Sequence, residues 1–76
     1  MKELGGSVNS VDFSSDGSKI VCGDDANKVT VLEASSGKEV WAQQLGGKVY
    51  SVGFSYDDSK IVCGDSARKV TVLNAS

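Results

Sequence analysis

The chain repeats itself with a period of 41 residues, and this limits its folds more than any other feature. Shifting the sequence by one period lays residues 5–35 over 46–76 without a gap, and 23 of the 31 pairs are identical. A unit of this size is one supersecondary element that cannot cover both of its faces alone, so neighbouring units have to stack. The eight pairs that differ are Ser7/Lys48, Asn9/Tyr50, Asp12/Gly53, Ser15/Tyr56, Gly17/Asp58, Asp25/Ser66, Asn27/Arg68 and Glu33/Asn74. They are mostly polar or small, whereas the Val, Ile, Leu, Phe and Cys positions match. That division predicts a repeated core built by the matched residues, with the differing ones facing water.

Within one period the apolar spacing is two. Val11 and Phe13 alternate with Ser10, Asp12 and Ser14, which predicts a first strand over residues 7–13. Ser14-Ser15-Asp16-Gly17-Ser18 reads as a turn, with Gly17 suited to positive φ, and Asp58 takes that place in the second copy. A second strand is expected over 19–22, closed by Gly23-Asp24-Asp25-Ala26-Asn27. A third spans 28–33, with Val29 and Val31 pointing one way and Thr30 and Leu32 the other. After Ser35-Ser36-Gly37-Lys38 a fourth strand is expected around 39–44. Frequent glycines and short β-branched runs argue against helix. Four short strands per period, apolar on both faces, require sheets stacked on sheets around an axis.

With 76 residues, 39% hydrophobic and 24% charged, the composition suits one folded unit. Ten acidic against eight basic residues leave a charge of -2, which argues against nucleic-acid binding because a phosphate backbone needs a basic stripe. No apolar stretch is long enough to span a bilayer, so no membrane partner is expected. No leader of charged, apolar and small residues is legible, and a cytoplasmic location is the default expectation. Asp24-Asp25 and Asp57-Asp58 lack the alternating oxygen ligands and terminal Glu of a calcium loop. Cys22 and Cys63 lie one repeat apart, without CxxC spacing, and read as small buried thiols rather than zinc ligands or a disulfide. The chain has no histidine, nothing arranges Ser, Cys or Lys as an activated nucleophile, and no glycine motif precedes a helix. Neither enzyme activity nor a cofactor or metal is expected. Lys48, Tyr50, Tyr56 and Arg68, which differ from their mates, are candidates for a binding patch.

Residues 5–23, including Gly5-Gly6 and Phe13-Ser14-Ser15-Asp16-Gly17, resemble the opening of a WD-repeat, and residues 29–40 resemble its closing half. The resemblance covers essentially the whole chain as two repeats. It implies β-propeller blades, in a family of largely non-catalytic docking platforms. The departures are specific. Gly5-Gly6 and Gly46-Gly47 stand for the Gly-His pair, Leu32-Glu33 and Leu73-Asn74 for Trp-Asp, Ala26 and Ala67 for the Asp, and Cys22 and Cys63 for the Ser. With every partner of the family's polar network replaced together, an apolar version of it can be stable.

The expected fold is therefore all-β, with four-stranded antiparallel propeller blades, two per chain, that assemble between chains into a closed β-propeller. Repeat 1 spans 5–45, with a complete blade over 7–44, and repeat 2 spans 46–76, truncated before its fourth strand. Two full periods take 82 residues and the chain has 76, the difference corresponding to 36–41. Residues 1–4 align with 42–45, so they read as the tail of a fourth strand for a neighbouring chain's blade, with Leu4 as its anchor. The surface they would cover is the third strand of repeat 2, Lys69, Val70, Thr71, Val72 and Leu73. The expected core is Val11, Phe13, Ile20, Cys22, Val29, Val31 and Leu32, followed by Val52, Phe54, Ile61, Cys63 and Val72. The partner is a further copy of the chain, with a homotetramer of eight blades expected ahead of a homotrimer of six. The apolar Leu32, Leu73, Ala26 and Ala67 replace the usual signature side chains and allow a blade spacing different from the seven-bladed norm. The function expected is an assembly module, natural or engineered; the alternative is a scaffold that binds a protein or peptide on the faces of the ring.

Overall fold

The computed structural model describes residues 5–75; the expectations that rest on residues 1–4, Leu4 included, lie outside them. Seven strands follow one another: β1 (Val8–Phe13), β2 (Lys19–Asp24), β3 (Lys28–Glu33), β4 (Glu39–Gln44), β5 (Val49–Phe54), β6 (Lys60–Asp65) and β7 (Val70–Asn74). They form two antiparallel meanders, one of four strands in the order β1-β2-β3-β4 and one of three in the order β5-β6-β7. Among the described residues no helix is long and apolar enough to cross a membrane.

The pairing register repeats with the sequence. Val11 faces Cys22 and Phe13 faces Ile20 in the first sheet, as Val52 faces Cys63 and Phe54 faces Ile61 in the second. The second strand runs further than its sequence predicts, because Gly23 and Asp24 still pair, with Ser10 and Val8. The turn begins only at Asp25, since the Asp24 Oδ1 accepts the Ala26 and Lys28 amide protons at 2.9 and 3.1 Å and closes it locally. The following Asn27 has φ 66°, and Arg68 takes the same left-handed conformation at φ 65°. Gly17 and its mate Asp58 are also left-handed, at φ 74° and 62°.

Both β1–β2-type turns are clamped by an aspartate. Asp16 Oδ1 accepts from the Ser14 hydroxyl and from the Ser18 amide and hydroxyl, and Asp57 Oδ1 does the same with Ser55 and Ser59. These bonds hold both carboxyls down at a pKa of about 2, well below the usual carboxylate range.

The core lies between the two sheets. Val21, Val29 and Val31 of the first sheet and Val49, Ile61 and Cys63 of the second are fully buried there, with Val52 beside them. Pairing of Val21 with Val31 and of Val31 with Trp41 places these side chains on one face of the first sheet. Phe54, Leu73 and Trp41 pack at the rim of this core.

Three residues expected in the core are exposed in the single chain: Val11, Phe13 and Val72, at 60, 61 and 60%. Val11 and Phe13 lie on the face of the first sheet that points away from the second, and Val72 lies on the face of the second that points away from the first. Each sheet has one partner within the described residues, so only one face of each is covered by the other.

Candidate functional site

The junction between the sheets shows what one repeat does to the next. Its apolar part sets the Val21-Gly23-Val29-Val31 face of the first sheet against the Val52, Phe54, Ile61, Cys63 and Leu73 side of the second. At Gly23 the second sheet comes so close that a β-carbon would collide with Val49 and crowd Val52. Outside the strands of the inner edge, Trp41 on β4 reaches across to donate its indole N–H to the Ala75 carbonyl at 3.2 Å.

The polar part is a row of side chains from β1 and its turn that grip the backbone of β5. Asn9 Nδ2 donates to the Val49 carbonyl at 3.0 Å and to Asp25 Oδ1 at 2.7 Å. The Val52 amide donates to Ser10 Oγ at 3.3 Å and the Phe54 amide to Asp12 Oδ2 at 3.1 Å. At the far end Asp58 accepts from both the Ser15 amide and the Ser15 hydroxyl, at 2.8 and 2.7 Å. Asn9, Asp12, Ser15, Asp25 and Asp58 are all among the positions where the two repeats differ. None of the differing positions is buried, as expected, but five of them also bond across or beside the junction. Sequence reasoning missed them because the substitutions look like surface drift until the strands are placed side by side.

Each sheet also carries the face that its neighbour lacks. The equivalents of Val21, Gly23, Val29 and Val31 on the second sheet are Val62, Gly64, Val70 and Val72; the three valines are exposed and nothing lies within 4 Å of a Cβ placed on Gly64. The equivalents of Val49, Val52 and Phe54 on the first sheet are Val8, Val11 and Phe13, also exposed. With Ile20, Cys22 and Leu32 they line an apolar concavity of about 530 Å³. The exposed face of one sheet therefore has the same residues as the internal surface that its opposite number buries.

Of the expected assembly residues, Lys69, Val70 and Val72 are exposed and Thr71 and Leu73 half-buried on an outer strand that pairs with β6. Ile20 and Phe54 are half-buried, while Cys22, Val29, Val31, Leu32, Val52, Ile61 and Cys63 are buried. The Cys22 and Cys63 thiols are free. Burial, and then the carboxylates of Asp24 and Asp65, push them up from the ordinary thiol range, away from reactive thiolate. The candidate patch is not one surface: Tyr50 sits at the start of β5 and Tyr56 beyond its end, roughly 20 Å apart at strand rise. Lys48 bonds through its amide to Ser66 Oγ and shares the Tyr50 end. Asp24 Oδ2 and Thr30 Oγ1 are buried without a hydrogen-bond partner among the described residues.

Against known families, residues 2–76 match the model described as outer membrane protein assembly factor BamB. The chain belongs to this family. The match is to a propeller-type repeat and not to the WD-repeat family in particular, which agrees with two antiparallel meanders stacked face to face. No curated protein matches significantly.

Proposed function

We propose that this chain is a non-catalytic assembly module whose copies stack head to tail into a closed propeller ring. The observation that carries the reading is the repeat equivalence of its two open faces. Val62, Val70 and Val72 stand on one side, and Val8, Val11 and Phe13 on the other, in the places of residues that bury each other inside the chain. Fully burying such side chains stabilises by about 1.5–3 kcal/mol each, which is large beside the margin of a small domain. The contact is heterologous, so it either closes or runs on as a filament. Four copies and eight blades are the closure we favour, three copies and six blades the other. The aspartate-clamped Phe13-Ser14-Ser15-Asp16-Gly17 turn supports a WD-like ancestry for the blades within this reading.

Strand exchange is part of the same proposal. In it residues 1–4 of the next copy, aligned in sequence with 42–45, supply the strand that covers the third strand of repeat 2. A native mass spectrum tests the reading: a single closed multiple of the chain is expected, and a folded monomer at micromolar concentration would overturn it. Deleting residues 1–4 is expected to give smaller or aggregating species, and an unchanged mass and melting temperature would show that the ends close differently.

A further inference from the structure

At one end of the second sheet the two repeats differ in a single direction. Lys48 stands where the first repeat has Ser7, Arg68 where it has Asn27, Ser66 where it has Asp25 and Tyr50 where it has Asn9. Lys48, Arg68 and Lys69 against Asp65 leave two positive charges there, whereas Lys28 against Asp24 and Asp25 leaves one negative charge at the matching end of the first sheet. Short backbone contacts hold the pieces together. The Ser66 amide donates to the Lys48 carbonyl at 2.9 Å, and the Lys48 amide donates to Ser66 Oγ at 3.0 Å. Asp65 Oδ1 closes the turn by accepting the Ala67 and Lys69 amide protons. Gly47 is packed so tightly against this turn that a β-carbon on it would collide with Ser66 Oγ and the Ala67 amide nitrogen. Lys48, Arg68 and Lys69 are exposed, and so is Tyr50, at 58%.

Arg68 is the informative residue. It has φ 65°, the left-handed conformation that Asn27 takes in the first repeat at φ 66°. Asparagine tolerates that region, whereas arginine has no short polar side chain to bond locally and offset the steric cost. Asp58, the other left-handed residue gained in the second repeat, bonds to Ser15. The Arg68 guanidinium bonds to no group among the described residues. A residue held against its backbone preference with no return inside the fold points to a partner outside it. We propose that this end of the second sheet is a docking surface for an acidic peptide segment, held by Lys48, Arg68 and Lys69 with Tyr50 beside them. Arg68 offers a planar fork that takes a carboxylate through two parallel hydrogen bonds, and the lysines act as point charges. Tyr50 adds an aromatic surface and a hydroxyl. The nearby carboxylates are engaged within the fold, Asp65 with two amides and Asp25 with Asn9. The chain as a whole carries a charge of -2 and the basic end is confined to one pair of loops, which suits a short acidic segment better than a phosphate backbone. All four residues lie on the second sheet of one chain, so the surface does not depend on the assembly proposed above.

The test uses the intact chain and a fluorescent six-residue peptide of alternating glutamate and aspartate. Its glutamine and asparagine counterpart and a single-stranded thymidine oligonucleotide serve as comparisons. Fluorescence anisotropy at low ionic strength is expected to show binding of the acidic peptide that weakens as salt is added, and no binding of the neutral one. Lys48→Ser with Arg68→Asn returns both positions to the residues of the first repeat, and asparagine suits the left-handed backbone at that turn. This double variant is expected to melt no lower than the parent and to bind the acidic peptide at least tenfold more weakly. Tyr50→Asn is expected to lose less. Lys38→Ala, which removes an exposed lysine just before β4 in the first sheet, is expected to lose less than twofold. No binding of the acidic peptide, equal binding by the double variant and the parent, or an equal loss in Lys38→Ala overturns the proposal. Oligonucleotide binding as tight as that of the acidic peptide would assign the surface to polyanions in general and overturn the peptide reading.

Discussion

Gly23 lies so close to Val49 across the junction that a β-carbon on it would overlap the Val49 Cγ1 and come within 3.0 Å of the Val52 Cγ1. Both valines are packed in the core, so neither can yield cheaply. Gly23→Ala is expected to destabilise the chain by about 1–3 kcal/mol, seen as a lower melting temperature. Gly64, its repeat equivalent, has open space around it. Gly64→Ala is therefore expected to leave the fold of the single chain intact while blocking the Val8 and Val11 side chains of a second copy. Size-exclusion chromatography with light scattering separates the two effects. A Gly64→Ala ring of unchanged mass and stability would mean that the faces do not meet as they do inside the chain.

The second prediction concerns the grip of β1 on β5. Asp12 accepts the Phe54 amide proton at 3.1 Å, and the second repeat has Gly53 at that place. Asp12→Gly is expected to cost about 0.5–1.5 kcal/mol, the usual net worth of one such bond, or several degrees in the melt of a domain this size. Lys38→Ala is the reference, since Lys38 is exposed and its amine makes no bond among the described residues. Asp25→Ala, which the sequence alone would offer as a neutral turn change, is unsuitable because Asp25 holds Asn9 in place. Equal melting temperatures for Asp12→Gly and Lys38→Ala would show that the row of polar contacts contributes nothing to the junction.

Most of the strand layout was legible because period-two alternation and turn residues act locally. Residues 28–33 and 39–44 match β3 and β4, and Gly17 and Asp58 take the left-handed conformation that their turn demands. Two things were not legible. Asp24 looked like a turn residue, yet it stays in β2 and uses its side chain to start the turn one residue later. The face that a valine presents was readable, but not whether that face has a neighbour: Val31 and Val72 have the same local sequence and opposite exposure. That difference is set by stacking order, which periodicity does not encode. The junction residues Asn9, Asp12 and Ser15 were hidden for the same reason, because their partners are 40 or more residues away.

Val31 offers the third prediction. It is fully buried between the sheets, beside Val21 and opposite Trp41. Val31→Asp places a carboxylate there without a partner, at a cost of several kcal/mol, comparable to the whole stability of a small domain. The expected outcome is loss of the folded signal in circular dichroism at neutral pH, while Lys38→Ala retains it. A cooperative melt for Val31→Asp near that of the parent chain would show that the junction is not the core of the fold.

The last prediction is a pH dependence. Asp16 is held down at about 2 chiefly by the Ser18 amide and hydroxyl, and Asp57 to the same value chiefly by the Ser59 hydroxyl and amide, against an ordinary 3.8. A carboxyl depressed in the folded state stabilises the fold wherever it is ionised in both states, so the contribution is complete above the unfolded value. It is lost as pH falls from about 4 towards 2, when the unfolded chain takes up protons first. The melting temperature is expected to drop across that window and to be steady above it as far as these two groups are concerned. Both carboxyls are at the surface, so salt weakens whatever part of the effect is charge and spares the hydrogen bonds. Asp16→Asn with Asp57→Asn is expected to melt lower than the parent at pH 7 and to lose less than the parent between pH 4 and 2. If the double variant fell as steeply as the parent in that interval, the two turn clamps would not be the source of the acid sensitivity.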